Sequence, residues 1–378
     1  MKQNGEECLD LKRSGAVRRV AWFFTDVLVE VDMTFGSSNH AYDTATALRS
    51  CLPVAEREFT RGPAQVAGRS HSRRSFALGD HLRRIAIVVL SVVCRTYIPL
   101  ALMGLLNRMF PAFESVFFCY AGNARYASHY SYSSCRRFLL WFPSMIGVFR
   151  QGRRWGLICA APVTEAEFSD PTNAGNLDRL VRRMGRIKML LGVDQVSFAG
   201  ILPNVLRGRY PQRIDDYDRD HTSEVVRRAV LELRRQHFRD RDHRVVLLGG
   251  GGRIGQAVHK RLKADGIDSV VIDSAVPSAP ALRDLRPISL MLVDVSRHGV
   301  IQRYIPELPA GTIVLNEVFP EPSQDVVALL KSRKIVAYHL AGVKAEVYPS
   351  LPLGYRNAVP CCAVHSDDVC ELVLTRIA

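Results

Sequence analysis

The chain is predicted to be an α/β protein in which a C-terminal doubly wound parallel sheet follows an α+β substrate domain. Three observations predict this. Residues 244–273, RVVLLGGGGRIGQAVHKRLKADGIDSVVID, read as a strand, a glycine turn, a helix and a second strand. The alternation continues with strands at Ile288–Val293, Thr312–Leu315 and Ile335–Tyr338 and a helix over Asp325–Lys331, which implies a parallel sheet of about five strands. The 378 residues, 47% hydrophobic and 23% charged, suffice for about two domains, each with its own core.

Arg244 to Leu248 end a β-branched run, and Gly250-x-Gly252-x-x-Gly255 follows without a spacer. Each glycine has a physical reason in a dinucleotide-binding turn. Gly250 permits the sharp turn, Gly252 lets backbone approach a pyrophosphate, and Gly255 lets the helix lie close on the sheet. Arg253 and Ile254 complete the cofactor segment, whose helix N-terminus presents N–H groups to phosphate. Ile254, Ala257, Val258 and Leu262 keep a helical period, and Gly266 is placed to end it. Asp273, 23 positions after Gly250, ends the next strand and suits the ribose hydroxyls of NAD rather than the 2′-phosphate of NADP. Both dinucleotides remain candidates, with NAD favoured by Asp273. A glycine-rich loop that binds nothing is the plainer alternative.

Toward the N-terminus the signals are weaker. Residues 1–114 form a poorly defined region with an apolar run at Val20–Val31 and a basic, linker-like stretch at Arg61–Arg74. Residues 85–106, IAIVVLSVVCRTYIPLALMGLL, are long enough to span a bilayer. Arg95 and Pro99 in the middle favour a buried strand plus helix, or a peripheral contact at the membrane surface.

The substrate domain is read as 115–240. From Ser115 to Thr164 there is no acidic residue, and Arg125, Arg136, Arg137, Arg150, Arg153 and Arg154 are interleaved with tyrosines, phenylalanines and tryptophans. Such a surface could meet a small-molecule or carrier-bound acidic substrate; without a nucleic-acid motif, nucleic acid ranks last. A solvated basic face over an aromatic core explains the same pattern. Asp170-Pro171 opens a helix whose stripe runs from Leu177 to Leu191 and stops at Gly192. Val196–Leu202 reads as a strand. Thr222 is placed to cap a second helix with Val225, Val226, Ala229, Val230 and Leu233 inward.

The charged joint Arg239–Arg244 is the expected boundary to a dinucleotide domain at 241–345. A C-terminal segment at 346–378 follows, with Pro349, Pro352, Pro360, Cys361-Cys362 and a terminal helix over Asp367–Ile377 packed back on the first domain. The site is expected between the domains, at the carboxyl ends of the strands.

Charge and cysteine usage narrow the class. The net charge of +14 is uneven, since the first 160 residues carry 21 Lys and Arg against 11 Asp and Glu. The 9 cysteines are odd in number and form no C-x-x-C pair, so neither a disulfide framework nor a metal site is indicated. No apolar signal-peptide region opens the sequence. A cytoplasmic location is expected, with membrane association through 85–106 as the variant, and no feature sets an oligomeric state.

No Tyr-x-x-x-Lys pair follows the glycine turn at the usual distance, and neither GxSxG nor HExxH occurs. Cys361, behind a proline and ahead of the expected final helix, is the candidate nucleophile, because a helix N-terminus favours a thiolate. His365 is close enough to act as acid or base. A buried cysteine pair that merely fills core space is the plainer reading.

The order of parts resembles the long-chain fatty acyl-acyl carrier protein reductases from about residue 176 onward. The carrying segments are SFAGILPN (197–204), HTSEVV (221–226), VVLLGGGGRIGQAV (245–258) and RNAVPCCAVHSDDVCELVL (356–374). The resemblance implies a Rossmann domain that binds NADP(H) and a cysteine, here Cys361, that takes the acyl group as a thioester before hydride transfer. Two positions depart from the family: glycines replace its GATG-type turn, and Val364 and His365 stand where an acid would follow the cysteine. The expected function is therefore an NAD(P)-dependent oxidoreductase, reducing an acyl thioester through Cys361. The alternatives are a dehydrogenase of a small amino, hydroxy or cyclic acid without covalent catalysis, and a non-catalytic dinucleotide sensor.

Overall fold

The computed structural model describes residues 70–122, 124–210, 217–239, 241–274, 282–285, 289–351, 355, 358–363 and 371–378. The run at Val20–Val31, His365 and Cys370 lie outside these residues. The first part of the chain contains α1 (Ser70–Arg95), α2 (Ile98–Met109), β1 (Phe113–Tyr120), α3 (Ala124–Tyr130), α4 (Ser133–Leu139), β2 (Ser144–Gln151), β3 (Arg154–Ala161), α5 (Glu165–Ser169), α6 (Ala174–Leu191), β4 (Gln195–Phe198), α7 (Leu202–Arg209) and α8 (Tyr217–His237). There follow β5 (His243–Leu248), α9 (Arg253–Ala264), β6 (Ser269–Ile272), β7 (Ser289–Asp294), β8 (Ile313–Asn316), α10 (Gln324–Ser332), β9 (Val336–Lys344), β10 (Glu346–Tyr348), β11 (Ala358–Val359) and β12 (Leu372–Arg376).

Two sheets organise the molecule. The first has the order β10-β2-β3-β1-β4, in which β1 lies parallel between β3 and β4 while β2 runs antiparallel to β3. Phe117, Phe118, Phe149, Leu157 and Ile158 are fully buried in it. Against it packs α6, whose Leu177, Leu180, Met184, Ile187 and Leu191 are buried. That helix ends at Gly192 in a left-handed conformation, φ 67°.

The second sheet is α/β and doubly wound. β9-β8-β7-β5-β6 are all parallel, and β11 and β12 add antiparallel to β9. Chain order within the parallel strands reverses between β5 and β7, the position outside whose carboxyl ends ligands bind in this class of sheet. The long helix α8 packs on α9, β9 and the turn at Cys361. Its Val225, Val226, Ala229, Val230 and Leu233 are buried. Glu224 accepts from Arg227 and Arg228 on the same helix and pairs with Arg261 of α9 at 3.2 Å.

Four expectations are corrected. Residues 70–109, placed in a poorly defined N-terminal region, contain two helices. The strand in the strand-plus-helix reading of 85–106 does not form: residues up to Arg95 belong to α1, where Ile87, Val88, Ser91 and Val92 are buried at helical spacing. Helix α8 begins at Tyr217, so Thr222 is an interior, buried residue and not a cap. The terminal helix is replaced, over 372–376, by β12. Leu372-Val373-Leu374-Thr375 is a β-branched and aliphatic run, and β9 is long enough to leave an edge for it to cover. Among the described residues no single helix is long and apolar enough to cross a membrane; Arg83–Arg95 and α2 reach that length and composition only together, bent by 80°.

Candidate functional site

The carboxyl ends of β1 and β4 in one sheet and of β5 to β8 in the other, with part of β9, converge on a single cavity of about 790 Å³. The glycine turn forms one end. Its left-handed residue is Gly249, φ 84°, where a Cβ would lie 2.6 Å from Ser296 Cα. The sharp turn assigned to Gly250 therefore falls one residue earlier. Gly250 is instead buried under Val271. A Cβ at Gly255 would come within 2.3 Å of Gly249 O, so only glycine lets α9 approach the turn. Gly252 is the N-cap residue ahead of α9 and supplies no side-chain cap; the opening turn of α9 contains no acid, and Gly252 faces the cavity together with Arg253 and Ile254. Asp273, just beyond β6, accepts the Gly251 N–H at 3.0 Å and also lines the cavity. An uncapped helix N-terminus, a turn without side chains and a carboxylate at the next strand end fit the pyrophosphate and ribose of a dinucleotide.

The opposite walls are aromatic and apolar. Phe117, Tyr120, Tyr126 and Tyr130 come from β1 and α3, Phe319 and Tyr355 from the second sheet's loops, and Leu340 and Ala341 from β9. Phe319 stands edge-on to Tyr126 at 4.9 Å and to Tyr355 at 5.7 Å between ring centroids. Tyr126 donates to Glu321 at 2.5 Å, and Tyr120 donates to Glu165 at 2.8 Å while accepting the Ile201 N–H. These bonds join or brace both halves around the cavity.

Buried polar groups gather at the junction. The Asn316 side-chain amide donates one hydrogen to Val318 O and the other to His339 Nδ1 at 3.0 Å, which assigns the imidazole proton to Nε2, facing Tyr355 Oη at 3.3 Å. Burial lowers the His339 pKa, so the ring is neutral. Tyr355 thus accepts from His339 and has its own hydrogen to offer elsewhere. Glu317, which follows β8, faces the cavity. Withdrawal from water, then the Asp294 carboxyl, push it up to about 8. Asp294 at the end of β7 is also raised by burial, to about 6, against hydrogen bonds from Ser296 N and Oγ that lower it.

Cys361 lines the same cavity but opens only a three-residue 3-10 turn, so the helix N-terminus expected to favour its thiolate is not there. Burial first, then the Glu317 and Cys362 neighbours, push the Cys361 thiol well up. Glu317, Tyr355, His339 and Asn316 were missed by sequence reasoning. The rule that ligands bind at the carboxyl ends of parallel strands would have singled out Glu317, which directly follows a strand that was foreseen. The Arg-rich stretch also acquires partners: Arg136 pairs with Glu167 at 2.6 Å, Arg150 with Glu346 at 2.6 Å and Arg154 with Glu114 at 3.2 Å.

No protein-family model and no curated protein matches the chain. Among solved structures it is similar to the TT0316 protein from Thermus thermophilus at 16% identity, over 59% of this chain and 80% of that one, with a TM-score of 0.26. It is similar also to the apo-structure of D-lactate dehydrogenase from Escherichia coli at 15% identity, over 58% and 80%, with a TM-score of 0.23. The α/β class rests on the strand order described above.

Proposed function

We propose that the chain is an NAD(P)-dependent oxidoreductase that acts on an apolar carbonyl compound. One observation carries the reading: a single cavity is lined by a side-chain-free glycine turn, by an aromatic wall and by Glu317. The bound dinucleotide would supply the hydride acceptor or donor. The turn at Gly249–Gly252 and the start of α9 hold its pyrophosphate, and Asp273 holds a ribose and favours NAD. Glu317, whose carboxyl keeps its proton at neutral pH, gives that proton to the reacting oxygen or takes it back. Tyr355, held from behind by His339, offers a hydrogen bond to the same region.

The distribution of cations favours an apolar substrate. The lining arginines, Arg219, Arg253, Arg297 and Arg303, come from α8, the glycine turn and the segment after β7. Among the described side chains of β1, α3, β9 and the Phe319–Tyr355 wall there is none. A small hydroxy or amino acid would find no arginine for its carboxylate among the described side chains there, whereas an alkyl or aromatic group is solvated well.

A second reading keeps Cys361 as an acyl acceptor, because it lines the cavity beside Glu317, which could take its proton. The test of the main reading is oxidation of NADH and NADPH by the purified chain with long-chain acyl thioesters, apolar aldehydes and short 2-oxo acids. Turnover with the apolar compounds is expected. Turnover confined to the short 2-oxo acids, or absence of dinucleotide binding, would overturn it.

A further inference from the structure

Among the described residues nine large hydrophobic side chains are exposed, and seven of them belong to α2, its flanking Phe110 and the adjoining helix α6. Scattered singly they would need no explanation, but a contiguous apolar face does. Ile98, Leu102, Leu105 and Met109 recur at intervals of four, three and four residues, which makes one outward stripe, and Leu106 lies beside it. Phe110 is 73% exposed at its end and Met189 of α6 is 67% exposed.

The outward orientation is built into the fold. The opposite stripe, Leu100, Gly104 and Asn107, is buried. A Cβ at Gly104 would lie 1.7 Å from Leu190 O, so α2 rests backbone to backbone on α6. Asn107 locks the helix in place. Its amide donates to Phe113 O and Leu191 O, and its carbonyl oxygen accepts from the N–H groups of Ala112 and Phe113. Rotation that would bury the apolar stripe would break all four bonds.

The charge beside this stripe is mainly positive, although Asp194 is exposed three residues past the end of α6. On α6 Arg179, Arg182 and Arg186 are exposed, and Arg186 lies 4.3 Å over the Tyr97 ring at the start of α2. Arg108 is exposed on α2 itself. The nearby acid Asp178 is held by Arg209 at 2.8 Å.

We propose that the outer face of α2, with Met189 and the arginines of α6, docks on an anionic lipid surface. The helix lies in the plane of the interface, its apolar stripe roughly 5–10 Å deep at the boundary of headgroups and acyl chains. The arginines meet lipid phosphates while their stems stay apolar. Other occupants fit less well. A second copy would bring like charges together. A protein partner would find no hydrogen-bonding group on the stripe to set its register, where protein interfaces carry about one such bond per 100–200 Å². Residues 1–69 carry 9 Lys and Arg against 9 Asp and Glu, so they have no surplus of negative charge for the arginines.

The test uses the full chain in vesicle flotation, with phosphatidylcholine alone and with phosphatidylglycerol added. Binding is expected only with the anionic lipid, and it should fall at least about tenfold in Arg182→Glu/Arg186→Glu. A Leu102→Gln/Leu105→Gln/Met109→Gln protein should lose binding likewise. The charge variant alters only exposed side chains and keeps the test valid should the apolar variant fold poorly. Peroxide should oxidise Met109 and Met189 in the free chain and spare them on vesicles. The proposal is overturned by equal binding to both vesicle types, by unchanged binding of the charge variant, or by protection of both methionines without lipid, which would assign the face to another part of the chain or to a second copy.

Discussion

Glu317 donates its main-chain N–H to the Asp294 carbonyl oxygen at 3.0 Å, which sets two carboxyl groups on neighbouring strand ends. Both are withdrawn from water, yet their surroundings differ. Asp294 accepts two hydrogen bonds from Ser296, while Glu317 is pushed up by burial and by Asp294. Such divergence between adjacent carboxyls separates an acid that keeps its proton from one that releases it more readily.

A pH dependence follows with a definite sign. Glu317 rises from an ordinary value of 4.5 to about 8 in the folded chain, so its favourable contribution is complete below pH 4.5 and lost as pH rises toward 8. In that window the folded state binds the extra proton, and stability declines by up to about 1.4 kcal/mol per pH unit from this group. Glu317→Gln should flatten the slope in urea titrations between about pH 5 and about pH 8, the window in which the folded and unfolded chains differ in this proton. The same variant should lose about 10²–10⁴ in turnover, the range for a removed general acid or base. Unchanged turnover would leave Glu317 a structural residue.

At the glycine turn, Gly252→Val should abolish NADH binding in calorimetry, because the new side chain would stand where the helix N-terminus meets phosphate. Asp273 has two tasks, one toward Gly251 N–H and one toward the cavity. Asp273→Asn keeps an acceptor for Gly251 but removes the charge, so if Asp273 sets a preference for NADH over NADPH, that preference should shrink by about an order of magnitude while the fold holds. Unchanged preference would detach Asp273 from cofactor choice.

Much of the second sheet was legible because its signals are local. The runs that became β5 to β9 are short, β-branched and bounded by turn residues, and Gly249–Gly255 interrupts them with a pattern few other structures need. The first sheet was less legible. Its strand β10 comes from residues 346–348, more than 190 residues after its partner β2, and no local pattern records such a pairing. At the site, Gly252 and Asp273 belong to a short motif, whereas Glu317, Tyr355 and His339 become neighbours only when β8, β9 and the loop after them are folded. Cys361 stood out in the sequence through its setting, but its burial could not be read from that.

The Arg-rich, acid-free stretch yields a split expectation. Arg136 is bound to Glu167, which also accepts the N–H of Thr164 and closes the capping box of α5. Arg136→Glu should therefore destabilise the chain by about 1–2 kcal/mol through loss of that cap. Arg137 is exposed on α4, and no such bond is described for it, so Arg137→Glu should leave the thermal midpoint within about 1 °C. Equal destabilisation by the two variants would show that Glu167 does not depend on Arg136.

Cys361 separates the two chemical readings. A covalent route needs the thiolate, and burial together with Glu317 and Cys362 opposes its formation. The thiol should therefore react slowly with iodoacetamide at neutral pH, more slowly than an exposed cysteine. Cys361→Ser should then keep turnover within about tenfold, since serine preserves the small volume and the non-covalent route uses Glu317 and Tyr355. Loss of a hundredfold or more, with an acyl adduct on Cys361 in mass spectra of the unmodified chain, would restore the thioester mechanism. In that case Glu317, in its ionised fraction, is the described carboxylate beside Cys361 able to take the thiol proton, and Glu317→Gln should suppress the adduct as well as turnover. A Glu317→Gln protein that still forms the adduct at the normal rate would exclude that carboxylate as the base.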